Sequence, residues 1–293
     1  MKPLDRFTPA APALADWADW TVPQAWASYT TTEHDTWLAL YERQMQVLKG
    51  RACDAFFRGL DALDLHGTGI PDFEVLNPKL KALTGWTIAP VAGLVPDEVF
   101  FSMLAERRFP AGRFIRRPEQ MDYLEEPDIF HDVFGHVPML TDPAFADFLA
   151  AFGKAALRAQ ADGHLQHMAR LYWYTVEFGL MRSPEGVRLY GAGIASSPGE
   201  SVFSLESASP NRLGFSLERA VRTRYRTDDL QQTYFVIGSL DELLALAERD
   251  FGLAEAAHPA PDLPIETVLD TDEVLHRGTQ AYARAGGRLA KAA

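Results

Sequence analysis

The strongest chemical signal in the sequence lies in three side chains, His131, His136 and Glu177. The two histidines stand five residues apart in an apolar stretch that includes Ile129, Phe130, Val133, Phe134 and Val137. Burying an unpartnered polar group costs roughly 1–3 kcal/mol, so each ring needs a partner. On a continuous α-helix five steps turn about 140°, and the rings would leave from different faces. Gly135 can release the chain, and Pro138 fixes the backbone beyond it. The spacing therefore predicts a break at Gly135 that swings His136 back toward His131. The plainer alternative is a pair of core histidines bonded to backbone. Glu177 is the one charge in residues 171–181. A carboxylate in such surroundings must be paired, metal-bound or protonated. Arg182 or Arg188 would serve as an ion-pair partner; the sharper reading joins Glu177 to both histidines on one metal. Two histidines and a carboxylate leave three coordination positions open, as in non-haem Fe(II) oxygenases. The same set also serves catalytic zinc, so the ligands alone do not choose the ion.

Other constellations are weaker. His164 and His167 share a helical face, but their neighbours Asp162, Gln166 and Arg170 are polar, which reads as a solvated first turn. Arg107, Arg108, Arg113, Arg116 and Arg117 form the one basic cluster, read on composition as a solvated loop. The glycines of residues 191–193 lack the strand–GxGxxG–helix context of a dinucleotide site. Neither a GxSxG elbow nor a phosphate-binding P-loop is present, which leaves little support for a serine hydrolase or an NTPase. Cys53 is the only cysteine, so an intramolecular disulfide, a CxxC redox pair and a zinc ribbon are excluded. A lone thiol suits a reducing cytosol.

The elements that must position these groups are mostly helical. Trp37, Leu40, Tyr41, Met45 and Leu48 recur at helical spacing before Gly50. Asn77-Pro78 predicts a short helix over 79–84 that exits at Gly85. Asp142-Pro143 opens another, with Phe145, Phe148, Leu149 and Phe152 on one face. Residues 164–180 form a further helix, and Ser239 to Glu242 reads as a capping box. Strand signals are short, at 188–194 and 233–237. With 293 residues, 47% of them hydrophobic and 23% charged, the chain has ordinary globular composition. A chain of this size buries roughly 70–75% of its unfolded surface without needing staples. A single domain is expected over 26–282, after an extended segment over 1–25 and before a tail over 283–293. The longest uncharged run, residues 82–96, holds two prolines and two glycines and is too short to span a bilayer. Acidic residues where a signal peptide needs an apolar core argue for a cytoplasmic protein. The net charge of −12 repels phosphate backbones, so no nucleic-acid partner is expected.

Four stretches carry a family resemblance. FIR at 114–116, EPDIFHDVFGHVP at 126–138, YWYTVEFG at 172–179 and YGAGIASS at 190–197 resemble, in that order, the core of the tetrahydropterin-dependent aromatic amino acid hydroxylases. The likeness runs over roughly residues 21–250. It implies a mainly α fold, a basket of helices with a few short β-strands around an iron cleft. It implies a monooxygenase that converts L-phenylalanine to L-tyrosine with O2 and tetrahydrobiopterin or a related tetrahydropterin, the first step of phenylalanine catabolism. His131, His136 and Glu177 would be the Fe(II) ligands. Arg116 would hold the amino acid's carboxylate, which lifts that one member out of the basic cluster. Pro127 and Trp173 would wall the substrate pocket, with Ser196 beside substrate and ligands. On the pterin side Phe100 would stack on the ring, backbone at Gly93 and Val95 would bond its edge, and Asp132, Ala169 and Tyr172 would flank it.

Two positions depart from the family pattern. Leu124 stands where animal members carry a threonine that assists the substrate's amino and carboxylate end. Asp132 replaces a glutamate near the pterin and is one methylene shorter. The resemblance further implies an unregulated monomeric catalytic domain, with no room for a regulatory domain and no tetramerisation heptad. Two other readings stay open: a family member acting on tryptophan or tyrosine, and a zinc hydrolase using the same three ligands.

Overall fold

The computed structural model describes residues 20–122, 126–248, 251 and 261–287. Leu124, residues 1–19 of the N-terminal segment and residues 288–293 of the tail lie outside them. Among the described residues helices outweigh strands, and no helix is long and apolar enough to cross a membrane.

Helix α1 (Thr31–Leu48) opens on a capping box. Glu33 N donates to Thr30 Oγ1 at 3.3 Å, and Thr30 N donates back to Glu33 Oε2 at 2.7 Å. It buries Trp37, Leu40 and Leu48 and stops before Gly50, whose φ of 73° suits glycine. Helix α2 (Asp54–Leu63) follows, then α3 (Phe73–Thr84). The helix expected to open at Pro78 instead begins at Phe73. The Asp72 side chain accepts from Glu74 N at 2.9 Å and supplies the cap. Asn77 is no cap: it clamps Ile88, donating to its carbonyl at 3.0 Å and accepting from its amide at 2.6 Å. Strand β1 (Thr87–Val91) and strand β2 (Arg108–Gly112) pair in parallel around α4 (Asp97–Ala105).

Helix α5 (Pro143–Ala161) starts where Asp142 predicted, with the Asp142 carboxylate accepting from Ala144 N and Phe145 N. Its face of Phe145, Phe148, Leu149 and Phe152 is buried in the main core. At Gly153 a side chain would lie 2.5 Å from Ala105 N and 2.6 Å from Phe101 O, so α4 and α5 meet backbone to backbone. Helix α6 (Leu165–Tyr172) does not run on to residue 180. From Trp173 to Glu177 the chain is π-helical, and Phe178 N closes that segment on Trp173 O at 2.8 Å.

A second, five-stranded sheet has the order β4-β3-β6-β5-β7. Its members are β3 (Leu180–Ser183), β4 (Gly186–Leu189), β5 (Asn211–Gly214), β6 (Thr233–Ile237) and β7 (Val274–His276). Strand β6 matches the expected 233–237. The strand expected over 188–194 ends at Leu189, and α7 (Ala192–Ala195) takes its place. Tyr190 N and Gly191 N both turn onto Gly179 O at 3.1 Å, which ends the ladder, and Ala195 N on Gly191 O at 2.9 Å begins the helix. Helices α8 (Pro198–Glu206), α9 (Leu217–Arg222) and α10 (Leu240–Glu248) complete the basket. Glu242 of the expected capping box accepts from Gly238 N at 2.5 Å. The expected 282/283 boundary falls inside a short helix, Ala281–Arg284.

Candidate metal centre and the pockets that meet at it

The chain does not break at Gly135. Residues Phe130–His136 form a second π-helical segment. Its i→i+5 bonding widens the turn so that residues five apart lie nearly over one another, which brings His136 onto the face of His131 without a kink. Gly135 serves a different purpose: a side chain there would meet Ala192 O at 3.0 Å, so the glycine lets α7 lie against the segment.

The two Nε2 atoms stand 3.2 Å apart. Glu177 reaches in from the end of the other π-helical segment, with Oε1 at 3.4 Å from His136 Nε2 and Oε2 at 3.7 Å from His131 Nε2. One donor atom from each residue lies within 4.8 Å of the others, the only such cluster among the described residues. His164 and His167 pack 5.6 Å apart, ring to ring, without a third ligand.

The donor set fits a divalent cation. Ser196 Oγ donates to Ala192 O at 2.8 Å, so its one proton is committed, and at 2.9 Å from His131 Nδ1 it must accept. That assigns the His131 proton to Nδ1 and turns the Nε2 lone pair toward His136 and Glu177, the tautomer a metal needs. Two imidazole lone pairs and one carboxylate converge here, and with a divalent ion the site would carry a single net positive charge. The site opens to one side, because 18% of the His131 side chain and 13% of Glu177 stay exposed against 4% of His136. His136 is walled in by Phe109, ring centroids 4.7 Å apart, and by Tyr172 at 6.5 Å.

Two pockets meet at this trio. The polar one includes Arg116, Pro127, His131, Trp173, Glu177 and Ser196. Every expected substrate residue thus lies on it. Arg116 is buried and held from behind by Asp128, with Nε and Nη2 each 2.8 Å from a carboxylate oxygen. Asp128 also accepts from the amides of Arg116 and His131. Burial pushes the Asp128 carboxyl up, but the Arg116 guanidinium and these amides prevail and hold it below the usual range. Trp173 stacks against Tyr225 at 4.4 Å, lies 4.7 Å from Phe178, and donates from Nε1 to Gln231 Oε1 at 3.1 Å. Glu200 lines the same pocket; burial raises its carboxyl to about 7, against the pull of the Tyr234 hydroxyl and the Gln231 amide.

The second pocket is more apolar and holds all six expected pterin residues, Gly93, Val95, Phe100, Asp132, Ala169 and Tyr172. The Phe100 ring meets Tyr172 edge-on at 5.5 Å. Asp132 accepts from Gly112 N at 2.7 Å, fixing the end of β2. Burial raises its carboxyl to about 7 despite that amide. Pro127, His131, Trp173 and Glu177 line both pockets, so a molecule in either faces the metal position.

The sequence reading missed Asp128 and Gln231. Asp128 lies inside the EPDIFHDVFGHVP stretch, three residues before His131, and an acid beside apolar neighbours was its signal. Gln231 carried none, because its contact with Trp173 spans 58 positions.

Residues 19–251 match the family model described as biopterin-dependent aromatic amino acid hydroxylase. The chain is 62% identical over 276 residues to the phenylalanine-4-hydroxylase of Caulobacter vibrioides, covering 94% of each protein. It is 54% identical over 263 residues to that of Ralstonia nicotianae, covering 89% of this chain and 84% of the relative. Among solved structures it is similar to Chromobacterium violaceum phenylalanine hydroxylase with bound iron(III) and 7,8-dihydrobiopterin. The TM-score is 0.82 at 51% identity, over 88% of this chain and 93% of that one. The cobalt-bound form of the same enzyme gives 0.85 at 52% identity, over 88% and 93%.

Proposed function

The chain belongs to the biopterin-dependent aromatic amino acid hydroxylases, and from that premise we propose that it is a phenylalanine 4-monooxygenase whose iron is held by His131, His136 and Glu177. The single observation that carries the residue assignment is the convergence of those three donors where a polar and an apolar pocket meet. Substrate and pterin need separate chambers with one common wall, and a hydrolase would have no use for the second.

When bound, ferrous iron and a tetrahydropterin supply the redox chemistry that lets triplet O2 react with a closed-shell ring. The chain's own residues bind and aim. Arg116, held by its bidentate pair with Asp128, takes the carboxylate of L-phenylalanine. Pro127 and Trp173 confine the ring so that it points at the metal rather than merely lying near it. Ser196 holds the proton on His131 Nδ1 and with it the direction of the ligating lone pair. On the other side Phe100 offers its face to the pterin, backbone at Gly93 and Val95 its hydrogen bonds, and Ala169, Tyr172 and Asp132 close the chamber. O2 as oxidant, a monomeric state and a cytoplasmic location belong to the same reading.

The test is chromatographic detection of tyrosine from phenylalanine under air. Tyrosine is expected only with both ferrous iron and a reduced pterin. Absence of tyrosine under those conditions, or turnover with zinc and none with iron, overturns the proposal. Competing tryptophan against phenylalanine in the same assay reads the substrate preference.

A further inference from the structure

We propose that Tyr282, which lies beyond the 19–251 stretch matched by the family model, is a positioning residue for the amino-acid pocket. It acts through the connection between α9 and β6. Residues 224–232 of that connection carry no helix or strand, so no ladder of backbone bonds sets their shape. Yet Arg226, Thr227, Asp229 and Gln231 line the same pocket as Arg116 and His131. What shapes this wall is a set of side-chain bonds.

Tyr282 supplies one end of the set. Its hydroxyl donates to Asp229 Oδ1 at 2.6 Å. The Asp229 side chain has no exposed surface, and a buried carboxylate depends on every donor it has. Leu230 N gives the same oxygen a second bond at 2.9 Å, and Arg226 Nη2 lies 3.4 Å from the other oxygen. Gln231 supplies the other end. Its Nε2 donates to the carbonyls of Arg226 and Asp229 at 2.7 and 3.3 Å, and its Oε1 accepts from Trp173 Nε1. A path of bonded groups thus runs from Tyr282 through Asp229 and Gln231 to the indole that walls the pocket.

Tyr282 is itself firmly seated. Its amide donates to Ser209 Oγ at 2.9 Å and its ring meets Phe203 at 5.2 Å. The chain leading to it is tied down by Gly278 N on Asn211 Oδ1, Thr279 N on Ala208 O and Gln280 N on Ser209 O, each at 2.9 Å. The hydroxyl is therefore presented by a fixed support, and Tyr282 is not among the residues that line the pocket.

The test is Tyr282→Phe in the iron-loaded full chain, which removes one hydroxyl and little else. Loss of one hydrogen bond to a buried acceptor predicts a rise in KM for L-phenylalanine of roughly 3- to 10-fold. The ratio of kcat/KM for phenylalanine over tryptophan shifts with it, while kcat and the KM for tetrahydropterin hold. A residue that only supported the fold would instead lower kcat together with thermal stability and leave both KM values alone. Unchanged phenylalanine KM and discrimination overturn the proposal. Should Tyr282→Phe not fold, Ser209→Ala loosens the seat of Tyr282 by removing the acceptor of its amide: the phenylalanine KM rises with the pterin KM held, or the proposal is wrong. The inference rests on the reading of the Arg116 pocket as the amino-acid site. Wild-type protein that forms no tyrosine overturns that reading, whereas active wild type with an indifferent Tyr282→Phe overturns this inference alone.

Discussion

Arg116 would be an expensive residue to bury on its own. Asp128 makes it tolerable: the pair is bidentate, and the side chains keep 7% and 0% of their surface. Asp128 accepts from four donors in all, two of them backbone amides on either side of it, so the same carboxylate also sets the start of the segment that carries His131. Removing one partner of a buried pair leaves an uncompensated charge and costs about 3–5 kcal/mol. Asp128→Ala is expected to lose stability of that order in urea unfolding. Asp128→Asn, which keeps the shape and an acceptor oxygen, is expected to fold and to show a raised KM for phenylalanine with the pterin KM nearly unchanged. Equal changes in both KM values would mean that Asp128 serves the fold and not the anchor.

Both segments that carry the three converging donors are π-helical, Phe130–His136 and Trp173–Glu177, and α7 lies across them. Here the limit of the sequence is plain. The residue types of the site, and the stretches that hold them, were legible from composition and motif order. The geometry that unites the histidines was not, because a five-residue spacing read on an α-helix separates them and nothing in the residue types announces i→i+5 bonding. Similarly, Pro78 reads as a helix start, while the true cap, Asp72, is an ordinary acid whose role depends on Asn77 being engaged by Ile88. Strand β6 was legible because Thr233, Tyr234, Phe235, Val236 and Ile237 are all β-formers and all buried. The element-scale prediction concerns Gly191, at the start of α7. A side chain there would sit 2.4 Å from Glu177 O and 2.5 Å from Gly179 N, both backbone atoms with no room to give. Gly191→Ala is expected to push α7 off the Trp173–Glu177 segment at a cost of about 1–3 kcal/mol. Ser196 and Glu177 then separate, and metal affinity falls with stability. A urea midpoint and a cobalt affinity equal to wild type would show that the two elements are not so closely locked.

At the scale of the whole molecule a metal held by the three proposed ligands would be a cross-link. Those side chains come from two segments 41 positions apart, His136 and Glu177, and the tautomer of His131 is set from a third, by Ser196. The packing of α7 against the two π-helical segments holds the three donor side chains close together. An ion that binds the folded chain and not the unfolded one stabilises it by about 4 kcal/mol at a concentration 1,000 times its Kd. For a domain of this size that corresponds to a rise in thermal midpoint of roughly 5 °C or more. Ferrous iron and cobalt are both expected to raise it, and a chelator to reverse the rise. His131→Ala removes one proposed ligand and its bond to Ser196, so the metal-free protein should lose about 1–3 kcal/mol of stability while the response to metal disappears. If His131→Ala responded to iron as wild type does, the ion would be binding elsewhere, and the convergence of His131, His136 and Glu177 would be a feature of packing alone.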